Sequence, residues 1–112
     1  MALQFDAFTK IAGKTLPAGS YAVAATANFS AAAGANALRD IVCELRNGSG
    51  FIGGATDRRE FQTSQVTKST LSMNGGAQVP AGGEVSLWCK AQNSTGSIDY
   101  AQMMIIRLDG FF

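Results

Sequence analysis

The last stretch of the chain, Tyr100-Ala101-Gln102-Met103-Met104-Ile105-Ile106-Arg107-Leu108-Asp109-Gly110-Phe111-Phe112, decides the fold. Side chains on a strand alternate between its two faces. One face here reads Met104, Ile106, Leu108 and the other reads Met103, Ile105, Arg107. Both rows carry bulky apolar groups, so neither side meets water comfortably. A strand buried on both faces is ordinarily central in a covered sheet. The rest of the chain is small and strand-rich and offers no helical cover, so the cover is expected from another subunit.

Upstream, the same alternation recurs in short runs. Leu3-Gln4-Phe5-Asp6-Ala7 predicts a first strand, and residues 9–14 are ambiguous. After Pro17-Ala18-Gly19, residues 20–29 place Tyr21, Val23, Ala25, Ala27 and Phe29 on one face of a half-buried strand. The Ala-rich residues 30–38 read as a loop, because Gly34 and Asn36 interrupt them. Residues 39–46 turn Ile41, Cys43 and Leu45 inward, and Asn47-Gly48 supplies a hairpin turn. Phe51-Ile52 opens a return strand that Gly53-Gly54 weakens, and the polar residues 57–65 read as a loop. Residues 66–73 form a β-branched strand closed by Asn74-Gly75-Gly76. Beyond the turn Val79-Pro80-Ala81-Gly82-Gly83, residues 84–91 face Val85, Leu87, Cys89 and Ala91 inward. Short strands with turns between them predict an all-β antiparallel sandwich, one domain over residues 1–112.

Composition narrows the function. Charged residues are 15% of the chain and the net charge is +1, which leaves no basic footprint for nucleic acid. No window approaches the ~18 apolar residues of a membrane span, so no membrane insertion is expected. The first residues lack a basic and an apolar region, so no signal peptide is visible. The chain either acts inside the cell that makes it or leaves by assembly into something larger. It has no His, which excludes Ser-His-Asp and Cys-His catalysis. Asp57 and Glu60 flank Arg58-Arg59, a pattern that reads as ion pairing rather than as a pair of catalytic carboxylates. No catalytic residue, cofactor or metal ligand is expected. Cys43 and Cys89 do not make a zinc spacing; they read as two small buried hydrophobes, or as a cross-strand disulfide if their strands pair. Trp88 faces opposite to Leu87 and Cys89, beside Lys90, where it could stack on a glycan or anchor a partner, or be covered by a neighbouring loop.

Three stretches carry a resemblance. Pro17-Ala18-Gly19-Ser20-Tyr21-Ala22-Val23 looks like the Pro-Gly-x-Tyr lead-in to a central strand of the tumour necrosis factor-like jelly rolls, which include the complement globular heads. Val79-Pro80-Ala81-Gly82-Gly83-Glu84-Val85-Ser86-Leu87 is similar to their Gly-Asp-x-Val-x-Leu turn and strand, with Glu for Asp. Leu108-Asp109-Gly110-Phe111-Phe112 is similar to their closing strand. The pattern also resembles short, His-free proteins of actinobacteria and their phages, often encoded among virion genes. The resemblance implies a homotrimer with the final strand in the sheet nearest the threefold axis. Met104, Ile106 and Leu108 are then expected in the sandwich core, and Met103, Ile105 and Phe111 between subunits. The function so implied is a non-enzymatic bacteriophage virion protein that decorates the capsid or sits on the tail, bridging major capsid or tail proteins. The alternative is a module that reads a cell-surface glycan or receptor through Trp88 and Lys90.

Overall fold

A computed structural model describes residues 1–3, 7–33, 37–61, 65–92 and 95–108. It contains seven strands: β1 (Thr9–Leu16), β2 (Gly19–Ala33), β3 (Ala37–Asn47), β4 (Gly50–Phe61), β5 (Gln65–Val79), β6 (Gly83–Gln92) and β7 (Thr95–Leu108). No helix occurs among the described residues. All pairings are antiparallel, in a four-stranded sheet ordered β1-β6-β3-β4 and a three-stranded sheet ordered β5-β2-β7. The sandwich expected from the alternating runs is therefore present.

The pairing is nested. β3 pairs with β4, β2 with β5, and β1 with β6. Outermost, Ala2 bridges Ser97, with Leu3 N donating to Gly96 O and Ile98 N to Met1 O, each at 2.8 Å. The chain is in effect one long hairpin, closed at its tip by Gly48 and Ser49 between the paired Asn47 and Gly50, with Gly48 at φ 59°; the hairpin turn expected at Asn47-Gly48 thus sits one residue later. Folding that hairpin over creates the two remaining ladders, β2 with β7 and β3 with β6. Strands of 15 residues extend about 50 Å, which matches the 50 Å long axis. The radius of gyration is 15.3 Å, above the ~13 Å of a compact chain this size.

The core lies between the sheets. Tyr21, Val23, Ala25, Ala27 and Phe29 of β2 meet Ile41, Cys43 and Leu45 of β3 and Val85, Leu87, Cys89 and Ala91 of β6, all buried. Each large side chain among them contributes roughly 1.5–3 kcal/mol. Cys43 and Cys89 stand opposite one another in the β3–β6 register and are joined in a disulfide, with Cα atoms 4.1 Å apart. Of the two readings of these cysteines, the cross-strand bond is the one realised.

Several sequence expectations are corrected. Asn74-Gly75-Gly76 closes no strand, because β5 runs straight through it. These glycines serve close approach instead: a Cβ on Gly75 would lie 2.4 Å from Ile52 Cγ2, and one on Gly53 2.3 Å from Asn74 O. Residues 57–61 belong to β4 rather than to a loop. The charges of Asp57 and Arg58 find partners on β3, where Arg39 Nη2 donates to Asp57 Oδ1 at 2.8 Å and Arg58 grips Asp40 through two bonds of 2.8 and 3.1 Å. The ambiguous residues after Phe8 are β1, and β2 continues through the alanines to Ala33.

The sidedness of β7 is also reversed. Val23 pairs with Ile105 and Ala25 with Met103, and directly opposed residues share a face. Since Val23 and Ala25 are buried, Met103 and Ile105 point inward and pack on the core. Met104 and Ile106, expected in the core, point outward, and Leu108 lies half-buried on their row. Phe111 lies outside the described residues.

The disulfide closes a span of 46 residues, which in the chain-entropy model stabilises the fold by about 4 kcal/mol. Urea unfolding of the Cys43→Ala/Cys89→Ala variant is expected to show most of that loss, with the β-sheet circular dichroism retained in buffer. An unchanged midpoint would show that the bond contributes nothing.

Candidate assembly surface

The outer face of the three-stranded sheet is set by register. The central column, Ala22, Ala24, Thr26 and Asn28 of β2, is flanked by Ile106, Met104, Gln102 and Tyr100 of β7 and by Gly76, Asn74, Ser72 and Thr70 of β5. None of these twelve residues is charged. Met104 is 56% exposed, Ile106 54% and Tyr100 59%. The small alanines of β2 leave a shallow trough between the Met104–Ile106 ridge and Asn74. It comprises two adjoining hollows of about 220 and 310 Å³ that share Ala24, Asn74 and Met104. Folding of the single chain gives no reason for apolar side chains here, since the opposite row of β7 already supplies the core. A contiguous exposed apolar area marks an interaction surface.

Among the described residues, charge returns at one end of this face. Ser30 Oγ donates to Asp99 Oδ2 at 2.5 Å and Ser97 Oγ to Asp99 Oδ1 at 3.2 Å. The Ser30 hydrogen bond chiefly holds the Asp99 carboxyl below the usual aspartate range, with further help from the Ser97 bond, Lys68 and the N-terminal amine. Next along, Thr70 Oγ1 donates to Asn28 Oδ1 at 2.8 Å. A polar border thus frames the apolar trough.

On the outer face of the other sheet, Trp88 and Lys90 stand as alternation predicts, but in a ladder that the sequence did not reveal. The Arg46 guanidinium lies 4.5 Å from the Trp88 ring centre and 5.0 Å from that of Phe8, and Lys90 Nζ lies 4.8 Å from Phe8. Arg46 Nε also donates to Glu44 Oε1 at 2.5 Å, and Trp88 Nε1 to Ser86 Oγ at 2.8 Å. Trp88 is half-buried, with one ring face under Arg46 and its N–H occupied. The cover comes from a strand neighbour rather than a loop. Phe8 and Arg46 were missed because cross-strand register, which brings β3 and β6 together, is not written in local alternation.

Four further carboxylates among the described residues are committed to structure. Glu84 pairs with Lys10 at 2.6 Å, Glu44 with Arg46, Asp57 with the fully buried Arg39, and Asp40 with Arg58. The Arg39 guanidinium also lies over the Phe29 ring at 5.3 Å. Among the described residues no group of three or more acidic or cysteine side chains could hold a metal ion. No protein-family model matches this chain, and a comparison with curated proteins finds no match.

The Asp99 network has a pH signature. Its folded-state pKa lies below that of the unfolded chain, so its stabilisation is present above the unfolded value and is lost as pH falls through the folded one. Carboxyl NMR titration is expected to place Asp99 below the ordinary aspartate value of 3.8. In Ser30→Ala the titration should move upward, and a midpoint unaffected by that change would remove Ser30 as the cause.

Proposed function

We propose that this chain is a non-enzymatic structural protein that works as a homotrimer, its subunits meeting across the outer face of the β5-β2-β7 sheet. The observation that carries the reading is the uncharged trough walled by Met104 and Ile106, both more than half exposed on a sheet whose other side carries the core. Met104, Ile106 and Tyr100 therefore take the inter-subunit role expected of Met103 and Ile105.

Two further features support a jelly roll of the tumour necrosis factor-like kind. The nested hairpin pairs the chain from its ends inward, with Ala2 bridging Ser97 at the free edge of β7 as the outermost pair. The three motifs of the resemblance fall at the start of β2, at the β5–β6 turn with β6, and from the end of β7 into the four residues that follow it. The threefold symmetry and the place in a bacteriophage virion rest on that resemblance. There the trimer would bridge neighbouring major capsid or tail subunits, adding roughly 800 Å² of interface per partner.

Sedimentation equilibrium of the purified chain is expected to give a particle of three 11.7 kDa chains. Met104→Glu with Ile106→Glu places two charges on each copy of the trough and should yield a folded monomer, with association weakened at least about a hundredfold. Met103→Glu should instead destabilise the fold, since that side chain packs on the core. A wild-type monomer at micromolar concentration would refute the proposal. Phage particles lacking the protein should show weakened heads or defective tails in electron micrographs, and intact, stable particles would remove the virion role.

A further inference from the structure

The two flanks of the sandwich are closed unequally. Between β4 and β5 the sheets touch backbone to side chain, with Gly53 against Asn74 and Gly75 against Ile52 too close to admit a Cβ. Between β1 and β7 no such seal forms. A cleft of about 410 Å³ enters there between the sheets, within the size range of small-molecule sites. Its floor is Leu16, Tyr21, Met103 and Ile105. Tyr21 is pinned by donating its hydroxyl to Pro17 O at 2.8 Å, so the inner end is fixed. Met103 and Ile105 lie on the inward row, yet both remain half-buried, whereas their β2 partners Ala25 and Val23 are buried. The difference is apolar surface reachable only through this flank.

Among the described residues, the rim of the cleft carries two cations and no anion. Lys14 pairs with Val85 and Arg107 with Tyr21, so both stand in register with inward-facing residues on the two edge strands that border the opening. Arg107 curls over Gly19 and donates to Ala18 O at 3.1 Å, which holds its guanidinium at the mouth. None of the lining residues is acidic. An apolar slot between sheets with paired positive charge at its entrance suits one ligand chemistry, an aliphatic chain ending in an anionic head.

We propose that the β1/β7 flank binds a single-chain amphiphile with a carboxylate or similar anionic head, its chain against Leu16, Met103 and Ile105 and its head at Lys14 and Arg107. The site lies between the sheets and is distinct from the outer trough, so it stands or falls independently of trimer formation.

Met103 and Met104 are neighbours on opposite faces, and their methyl resonances report which of the two surfaces is occupied. The test titrates the full chain, ¹³C-methyl-labelled at methionine, with sodium laurate below its micelle concentration, and with dodecyltrimethylammonium as the charge-reversed control. A saturable one-to-one shift of the Met103 methyl is expected with laurate, with affinity at least about tenfold weaker for the cation. The exposed Lys14→Glu should weaken laurate by about tenfold or more, and Ile105→Trp, which fills the cleft, should abolish binding. The native mass, measured alongside, should not change in Lys14→Glu. A shift at Met104 in place of Met103, equal affinity for both amphiphiles, undiminished laurate binding in Lys14→Glu, or no laurate binding at all would overturn the assignment.

Discussion

Strand β2 is the constraint on which the three-stranded sheet depends. It is central, pairs along its whole length with β5 and from Ser20 to Ala32 with β7, and has an unambiguous inner row in Tyr21, Val23 and Phe29. Burial of those three side chains fixes which way β2 faces. Because opposed residues in a ladder share a face, β2 then dictates the sidedness of both neighbours. Slipping either neighbour by one residue would exchange its two rows. On β5 that would drive Ser72 and Asn74 into the core in place of Leu71 and Met73. On β7 both rows are apolar, so the register must come from β2 and not from β7's own preference.

That dependence explains what could and could not be read from the chain. The polar–apolar alternation of residues 39–46 and 84–91 marked β3 and β6 and their inner rows correctly, because those strands have one wet face and one dry face. The β7 stretch signalled two covered faces but gave no means of choosing between them, and Met103 was exchanged with Met104 as a result. Glycine misled in another way. Asn47-Gly48 leads into a turn and Asn74-Gly75 lies within a strand, yet the two dipeptides are identical, because the residue that tolerates φ > 0 also permits close backbone approach. Arg58 looked like part of a solvated loop because its partner Asp40 lies on another strand. The ladder of Phe8, Arg46 and Trp88 was invisible for the same reason: its members come from three separate parts of the chain.

The outer trough and the flank cleft share one origin. A sheet of three strands covers a sheet of four incompletely, and small residues such as Ala22, Ala24 and Gly76 keep its outer surface low. The glycines draw β4 and β5 together at one side, so the shortfall in cover is displaced to the other, between β1 and β7. Residues 1–3 reach only the start of β7, beside Gly96 and Ile98, and do not extend over the cleft.

The disulfide has a mechanical corollary. Strands in both sheets run along the long axis of the molecule, so tension applied along that axis loads the ladders in shear, where many hydrogen bonds must yield together. In the four-stranded sheet the covalent rung between Cys43 and Cys89 forbids β3 and β6 from sliding past one another; the three-stranded sheet has no such rung. Under load the sandwich should therefore give way first by withdrawal of β7 or β5 from β2. Force spectroscopy would register this as a rupture whose peak is insensitive to reductant, followed by an extension that reductant lengthens.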